Sequence, residues 1–307
     1  MPEDSSVNPS REGGSPVAVG ALLGQILENR WLTFNRQLLR ARRRATESAV
    51  HDVRVATRRL IAVLDLLTLV LPEDQTAALR RPARKLLKAL NTLRDLQVQR
   101  IAVRSMQRQL ALLRRFALHL GAAERRTLRE ATAVFAAFPL GRVEPAVVEL
   151  EETIRSTFSR TAVRSAGFLL LQGAAAAAFA RAVERRRAVR FDSAASIHRF
   201  RVAFKKYRYT IELLAPLFVW VDRDMHKAMD RYQTRMGEIQ DLDVLARDLR
   251  LFTRSNRVKT RIPAQSLLPV YRLLARRREE LLLEFEQNAD GIYSFWNEAV
   301  ESGMVPE

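Results

Sequence analysis

The stretch His51-Asp52-Val53-Arg54-Val55-Ala56-Thr57-Arg58-Arg59 returns 147 positions later as His198-Arg199-Phe200-Arg201-Val202-Ala203-Phe204-Lys205-Lys206. A His-x-x-Arg-Val-Ala-x-basic-basic string that occurs twice points to an internal duplication. A second pair of islands supports the same reading. Leu93-Arg94-Asp95-Leu96-Gln97-Val98 is answered by Ile239-Gln240-Asp241-Leu242-Asp243-Val244 at an offset of 146. The two halves thus keep nearly one spacing from histidine to aspartate. A repeat this long implies two similar folded units, not a short-period solenoid.

Advancing about 100° per residue along a helix separates each copy into two faces. With His51 at zero, Val53, Ala56, Leu60, Val63, Leu64 and Leu67 gather on the far side, while Arg54 and Arg58 stay within roughly 60° of it. In the second copy Arg201, Lys205 and Arg208 cluster with His198, and Phe200, Tyr207, Ile211 and Leu214 take the opposite side. Each helix therefore has a core face and a basic face, and the histidine stands in the basic one.

Only 11 glycines and 11 prolines occur in 307 residues, with a hydrophobic content of 48%. Few turn-formers and many helix-favouring residues predict an all-α chain of long elements. Residues 1–16 are polar and rich in Pro, Gly and Ser and read as a flexible tail. A first half at 17–145 holds helices at 17–44, through 51–71, from about 74 past Leu96, and from the Arg108 region to Phe138. Pro82 is expected to kink the third helix or shift its start, and Gly121 to interrupt the fourth. A second half at 146–300 holds helices at 147–190, 194–219, 222–252 and 264–298, with a tail at 301–307. Four helices per half suggest two four-helix bundles.

Fifty-two Lys and Arg against 34 Asp and Glu leave a net charge of +18. Polyanions are the expected partners: nucleic acid, anionic lipid or inorganic polyphosphate. No cysteine is present, which excludes a disulfide framework and a thiolate zinc site. The most lipid-like run, 166–180, is shorter than the roughly 20 residues of a membrane span, and reads as a packed core helix. No cofactor and no membrane association are expected.

Arginines and lysines one turn apart present rows of N–H donors that match phosphate oxygens. The candidate anion ligands are His51, Arg54, Arg58, Arg59, His198, Arg201, Lys205, Lys206 and Arg208. Arg81 and Lys85, matched by Lys227 and Arg231, extend the pattern, with Arg36 and Arg40 on the first helix and Arg276 near the end. Both histidines are expected to act as partly protonated donors. Asp95 and Asp241 are expected to orient arginines through salt bridges.

The doubled His-x-x-Arg-Val-x-x-basic-basic helix, followed about 44 residues later by Arg-Asp-Leu-x-Val or its variant, resembles the CHAD family, the conserved histidine α-helical domain. The resemblance spans roughly 17–298. It implies two four-helix bundles related by a pseudo-twofold, with basic helices lining a central groove or pore, and it implies binding of inorganic polyphosphate in the cytoplasm on polyphosphate granules. Departures exist. Asn91 stands where the family has glycine, whereas Gly237 keeps it; Gln97 replaces the acid that Asp243 retains; Ile61 answers Arg208. These differences predict that the second half binds harder. The Glu-x-Glu-x-Lys signature of the triphosphate-hydrolysing domain fused to some members is missing.

A non-enzymatic polyphosphate binder is thus the first reading, and a basic helical protein that binds nucleic acid, more weakly, the second. No helix-turn-helix, zinc-finger or RNP-like motif is present. The third class, an enzyme, rests on His51-Asp52 alone, a weak signal with only four histidines in the chain.

Overall fold

Thr46 starts the helix that carries the first motif: its hydroxyl accepts a hydrogen bond from the Ala49 amide at 3.2 Å, and Glu47 occupies the positive end of the helix dipole. In the computed structural model, which describes residues 18–107, 113–159, 161–218, 220–254 and 264–296, this helix is the second of nine. They are α1 Ala18–Arg43, α2 Glu47–Leu67, α3 Glu73–Gln107, α4 Leu113–Ala136, α5 Leu140–Thr157, α6 Thr161–Arg187, α7 Ala194–Leu214, α8 Arg223–Arg254 and α9 Ala264–Asn288. Short 3-10 turns follow α7 and α9, and no strand occurs among the described residues. The all-α fold class is what the composition predicts. The tails at 1–16 and 301–307, and the expected start of the fourth helix at Arg108, lie outside the described residues.

The apolar faces are buried as the periodicity requires. Val53, Leu60, Val63, Leu64 and Leu67 of α2 are fully buried, as are Phe200, Phe204, Tyr207, Ile211 and Leu214 of α7. They join one continuous apolar cluster that runs through both halves, from Val19 to Trp296. A smaller cluster of Val103, Phe116, Leu120, Leu245, Leu249, Val270 and Leu274 ties the far ends of α3 and α4 to α8 and α9. Across the middle, α1 meets α6, α2 meets α7 and α3 meets α8.

Several expectations are corrected. The single helix expected at 147–190 is two, α5 and α6, and Pro145 lies inside α5, so the expected boundary at 145/146 cuts a helix that packs on α1 and α3. The first half therefore has five helices. Pro145 removes one backbone donor near the helix start, a loss offset by the burial of Val143, Val147, Leu150 and Ile154. Pro82 sits well inside α3 and Gly121 inside an unbroken α4. Tertiary packing along these long helices outweighs the local breakers.

Phe158 makes the break between α5 and α6. Its buried ring is wedged between Gly20 of α1 and Gly167 of α6, where a Cβ on Gly20 would stand 2.5 Å from the Phe158 Cβ and one on Gly167 would run into the ring edge. Gly20→Ala is expected to destabilise the fold by about 1–3 kcal/mol through overpacking, despite alanine's higher helix propensity, with the denaturant midpoint as the check. On α6, Leu171, Ala175 and Ala182 are buried while Leu169 and Leu170 are exposed. Continued past Ala180, the stretch 166–187 is long and apolar enough to cross a membrane by length and composition. The sequence reading makes the run at 166–180 too short to span and a packed core helix; in the structure the helix packs along one side, with Leu171, Ala175 and Ala182 buried.

Candidate functional site

Where α2 crosses α7, the two basic faces meet. Lys205 of α7 lies within electrostatic range of Arg58 and Arg54 on α2 and of Arg201 and Arg208 on its own helix. Burial, and then these four guanidiniums, pull its ammonium down to about 7. Arg54 is lowered to about 10, chiefly by burial and next by Arg58, and stays charged at neutral pH. Arg58 is lowered by burial as well, while Tyr209, within hydrogen-bonding reach, opposes the shift. The Tyr209 ring sits 4.9 Å from the Arg208 guanidinium carbon and 5.8 Å from the Lys205 ammonium. Five cations from two helices thus share one half-buried volume.

What holds them is mostly neutral. Asn91 Oδ1 on α3 accepts from Arg54 Nε at 3.1 Å and from Arg58 Nη2 at 3.4 Å. Gln240 Oε1 on α8 accepts from Arg201 Nη1 at 2.9 Å, and Gln233 Oε1 accepts from Arg208 Nε at 3.0 Å. Among the described residues only Arg208 of the five has a direct carboxylate, Asp230 at 3.2 Å. An amide carbonyl orients a guanidinium and leaves its charge uncompensated, which a carboxylate would not do. Arg201 Nε is buried and makes no hydrogen bond among the described residues.

The sequence reading has Asp95 and Asp241 in salt bridges to these arginines. Among the described residues neither has a cation within 4.0 Å; they act at longer range, on Arg54, Arg58 and Arg201 from Asp95, and on Arg201, Arg94 and Arg54 from Asp241. Burial, the largest influence, raises both carboxyls above the usual range, and the arginines counter it. Side-chain reach explains the correction: amides on the same two helices stand closer to the guanidiniums. The departure at residue 91 acquires a meaning here too. At the matching position, the Arg201 guanidinium lies 3.5 Å from where a Gly237 Cβ would be. Glycine makes room for an arginine in one half, and asparagine grips two arginines in the other.

Other candidates fall elsewhere. His51 is exposed and lines a small cavity of about 190 Å³ with Arg30, Thr33, Gln37, Asp52 and Arg59. Partial burial, then Arg94, hold its imidazole below the ordinary value. Arg59 pairs with Glu212 at 3.0 Å, which also takes Arg30 at 3.3 Å, tying α7 to α1 and α2. Arg40 pairs with Asp52, Lys227 with Asp224 and Arg276 with Glu280. Arg36, Arg81, Lys85, His198, Lys206 and Arg231 are exposed and, among the described residues, make no hydrogen bond or ion pair to the cluster. Asp243, read as a mark of the stronger half, is bound to Arg278 of α9 at 2.6 Å and holds α8 in place.

The candidates assembled at the crossing are Arg54, Arg58, Arg201, Lys205 and Arg208. Sequence reasoning missed Asn91, Gln233, Gln240, Arg94 and Tyr209. Tyr209 had a usable signal, one turn after Lys205 on the basic side. Among the described residues no group of three or more His, Cys, Asp or Glu could hold a metal ion.

The profile of the CHAD domain matches residues 25–250. No curated protein matches the chain in sequence. Among solved structures, the CHAD domain from the plant Ricinus communis superposes with a TM-score of 0.59 at 18% identity, covering 94% of this chain and 93% of that one. PptA from Streptomyces chartreusis superposes with a TM-score of 0.61 at 17% identity, covering 87% of this chain and 98% of its own. Structural likeness at these identities speaks to the fold alone, but the profile covers most of the chain, and on that ground the protein belongs to the CHAD domain family.

Proposed function

We propose that the protein binds inorganic polyphosphate without chemical turnover, along a groove formed where α2 crosses α7, and associates through it with polyphosphate granules in the cytoplasm. One observation carries this reading: five cations share a half-buried volume in which four arginines are positioned by neutral amides. Such an arrangement concentrates positive charge and keeps it available. A chain of phosphates with one charge per unit and no bases needs rows of donors, and Tyr209, an aromatic at the crossing, is already engaged by cations. Membership of the CHAD family, whose general property is polyphosphate binding, supports the assignment.

The test is a titration with polyphosphates of defined length at several salt concentrations, with duplex DNA as competitor at equal phosphate. Affinity should fall steeply with salt as counterions are released. If DNA displaces polyphosphate readily at about 150 mM salt, where exposed charges are screened beyond roughly 8 Å, the nucleic-acid reading takes its place. Release of phosphate in the presence of Mg²⁺ or Mn²⁺, abolished by His51→Ala, would overturn the non-enzymatic assignment.

The amide grip makes its own prediction. Asn91→Asp preserves the acceptor but adds a negative charge against Arg54 and Arg58. It is expected to lower polyphosphate affinity by roughly tenfold, the scale of one charge-assisted contact. Asn91→Ala, which frees the arginines without neutralising them, should cost only a few-fold. Equal effects of the two variants in the same titration would mean that the neutrality of the acceptor does not matter.

A further inference from the structure

A second concentration of arginine lies on the other side of α3. Arg100 follows Asn91 by nine positions, so at about 100° per residue it points roughly half a turn away from the cluster at the α2–α7 crossing. There, α3 and α4 enclose a concavity of about 330 Å³ lined by Arg100, Arg104, Arg114 and Arg125, with Leu118 and Gly121 among the other lining residues. Nothing in the sequence motifs pointed to it.

The electrostatics are one-sided. Arg100 is bound at 2.9 Å to Glu124, which is itself 8% exposed, so that pair anchors the wall and its charges cancel. Arg104, Arg114 and Arg125 have no ion pair among the described residues, and the concavity keeps three uncompensated guanidiniums. Like charges gathered on the wall of a concavity focus the potential inside it. The floor is left open by Gly121, a residue that disfavours a helix interior. The Arg125 guanidinium lies 3.6 Å from where a Cβ of Gly121 would stand, so a larger side chain there would take the space. Leu118, 74% exposed, adds an apolar lip.

We propose that this concavity is a separate binding site for a compact, multiply charged phosphate anion, the triphosphate group. Its volume is at the low end for small-molecule sites, so it suits a short anion and not a polymer laid lengthwise. Three guanidinium forks offer paired donors to three phosphate units. The site does not depend on the α2–α7 reading. Inorganic tripolyphosphate and a nucleoside triphosphate share the chemistry, and they differ in what meets Leu118.

Calorimetric titration of the full chain with tripolyphosphate tests the proposal. Arg104→Gln/Arg114→Gln/Arg125→Gln should lose one equivalent of binding, with roughly tenfold lower affinity at that site for each arginine removed, and still bind long polyphosphate. The corresponding triple lysine variant should retain the equivalent. Arg54→Glu/Arg201→Glu should keep this equivalent while losing long-chain binding, which separates the two sites. ATP binding tighter than tripolyphosphate at this site assigns the nucleotide; equal or weaker binding assigns the inorganic ion. Unchanged stoichiometry and affinity in the triple glutamine variant overturns the proposal. If that variant fails to fold, phenylglyoxal labelling of the wild-type chain decides. Tripolyphosphate should protect Arg104, Arg114 and Arg125, and labelling at the free-protein rate overturns it.

Discussion

Arg54→Glu/Arg201→Glu is expected to weaken binding of long-chain polyphosphate at least 100-fold, on the order of 3 kcal/mol or more, with helical content unchanged. The two residues come from different helices, and both act electrostatically on Lys205. Each contributes one charge-assisted contact, and reversal adds repulsion where attraction was. The substitution at residue 54 also places a carboxylate near Asp95, which already carries a carboxyl raised by burial. Neither side chain belongs to the apolar cluster, so circular dichroism should report an intact fold. The contrast is Arg81→Glu/Arg231→Glu. Both are exposed and outside the crossing, and screened surface charges of that kind should change affinity only a few-fold. Normal binding by the first double variant, measured calorimetrically at fixed salt, would place the ligand elsewhere.

Polyphosphate binding should be coupled to proton uptake, with Lys205 as the group that takes the proton. In the free protein its ammonium is held near 7, against an ordinary value of 10.5, by burial and by Arg58, Arg201, Arg54 and Arg208. Other ionisable groups that face these cations include Tyr209 on α7, Asp95 on α3, and Asp230 and Asp241 on α8. A phosphate chain reverses the balance and stabilises the charged form. Affinity should therefore fall as pH rises from about 7 to about 9, by up to tenfold per unit, because over that range the free protein must gain a proton to bind. Below about pH 6 Lys205 is already charged and its contribution flattens, while His51, held below its usual value, adds a smaller uptake. Fold stability of the free protein runs in the opposite sense. The depressed Lys205 value costs most below about pH 7, and the cost is relieved as pH rises toward about 10.5. Calorimetry at pH 8 in buffers of different ionisation enthalpy should find close to one proton taken up in the wild type and far less in Lys205→Arg. A wild-type affinity that does not change between pH 7 and 9 would refute the coupling.

Much of the fold is legible in the sequence because periodicity reports burial directly. The helical spacing of Val53, Leu60 and Leu64, and of Phe200 and Ile211, assigns them to the core, and all of them are fully buried. Boundaries are less legible. Pro145 and Gly121 are local breakers, and whether a helix continues through them depends on the burial that the rest of the chain offers. The break that matters, at Phe158, is set by two glycines more than a hundred residues apart in sequence.

For the site, residue type and register pick out Arg54, Arg58, Arg201, Lys205 and Arg208, since a stripe opposite a core face must face solvent, a ligand or another stripe. The same rule cannot separate these from Arg59 or Arg40, which have the right type and are held by Glu212 and Asp52. It also reads Asn91 as a weakness.

From the sequence alone comes an all-α chain carrying two like-patterned basic helices, because a 3.6-residue period and the sign of a side chain are local properties. The tertiary structure decided which cations share a volume, which are neutralised, and what orients them. Those depend on distances of a few ångströms between residues on different helices, 25 to 39 positions apart for the arginine–amide bonds alone, and Coulomb and hydrogen-bond energies vary steeply at that range.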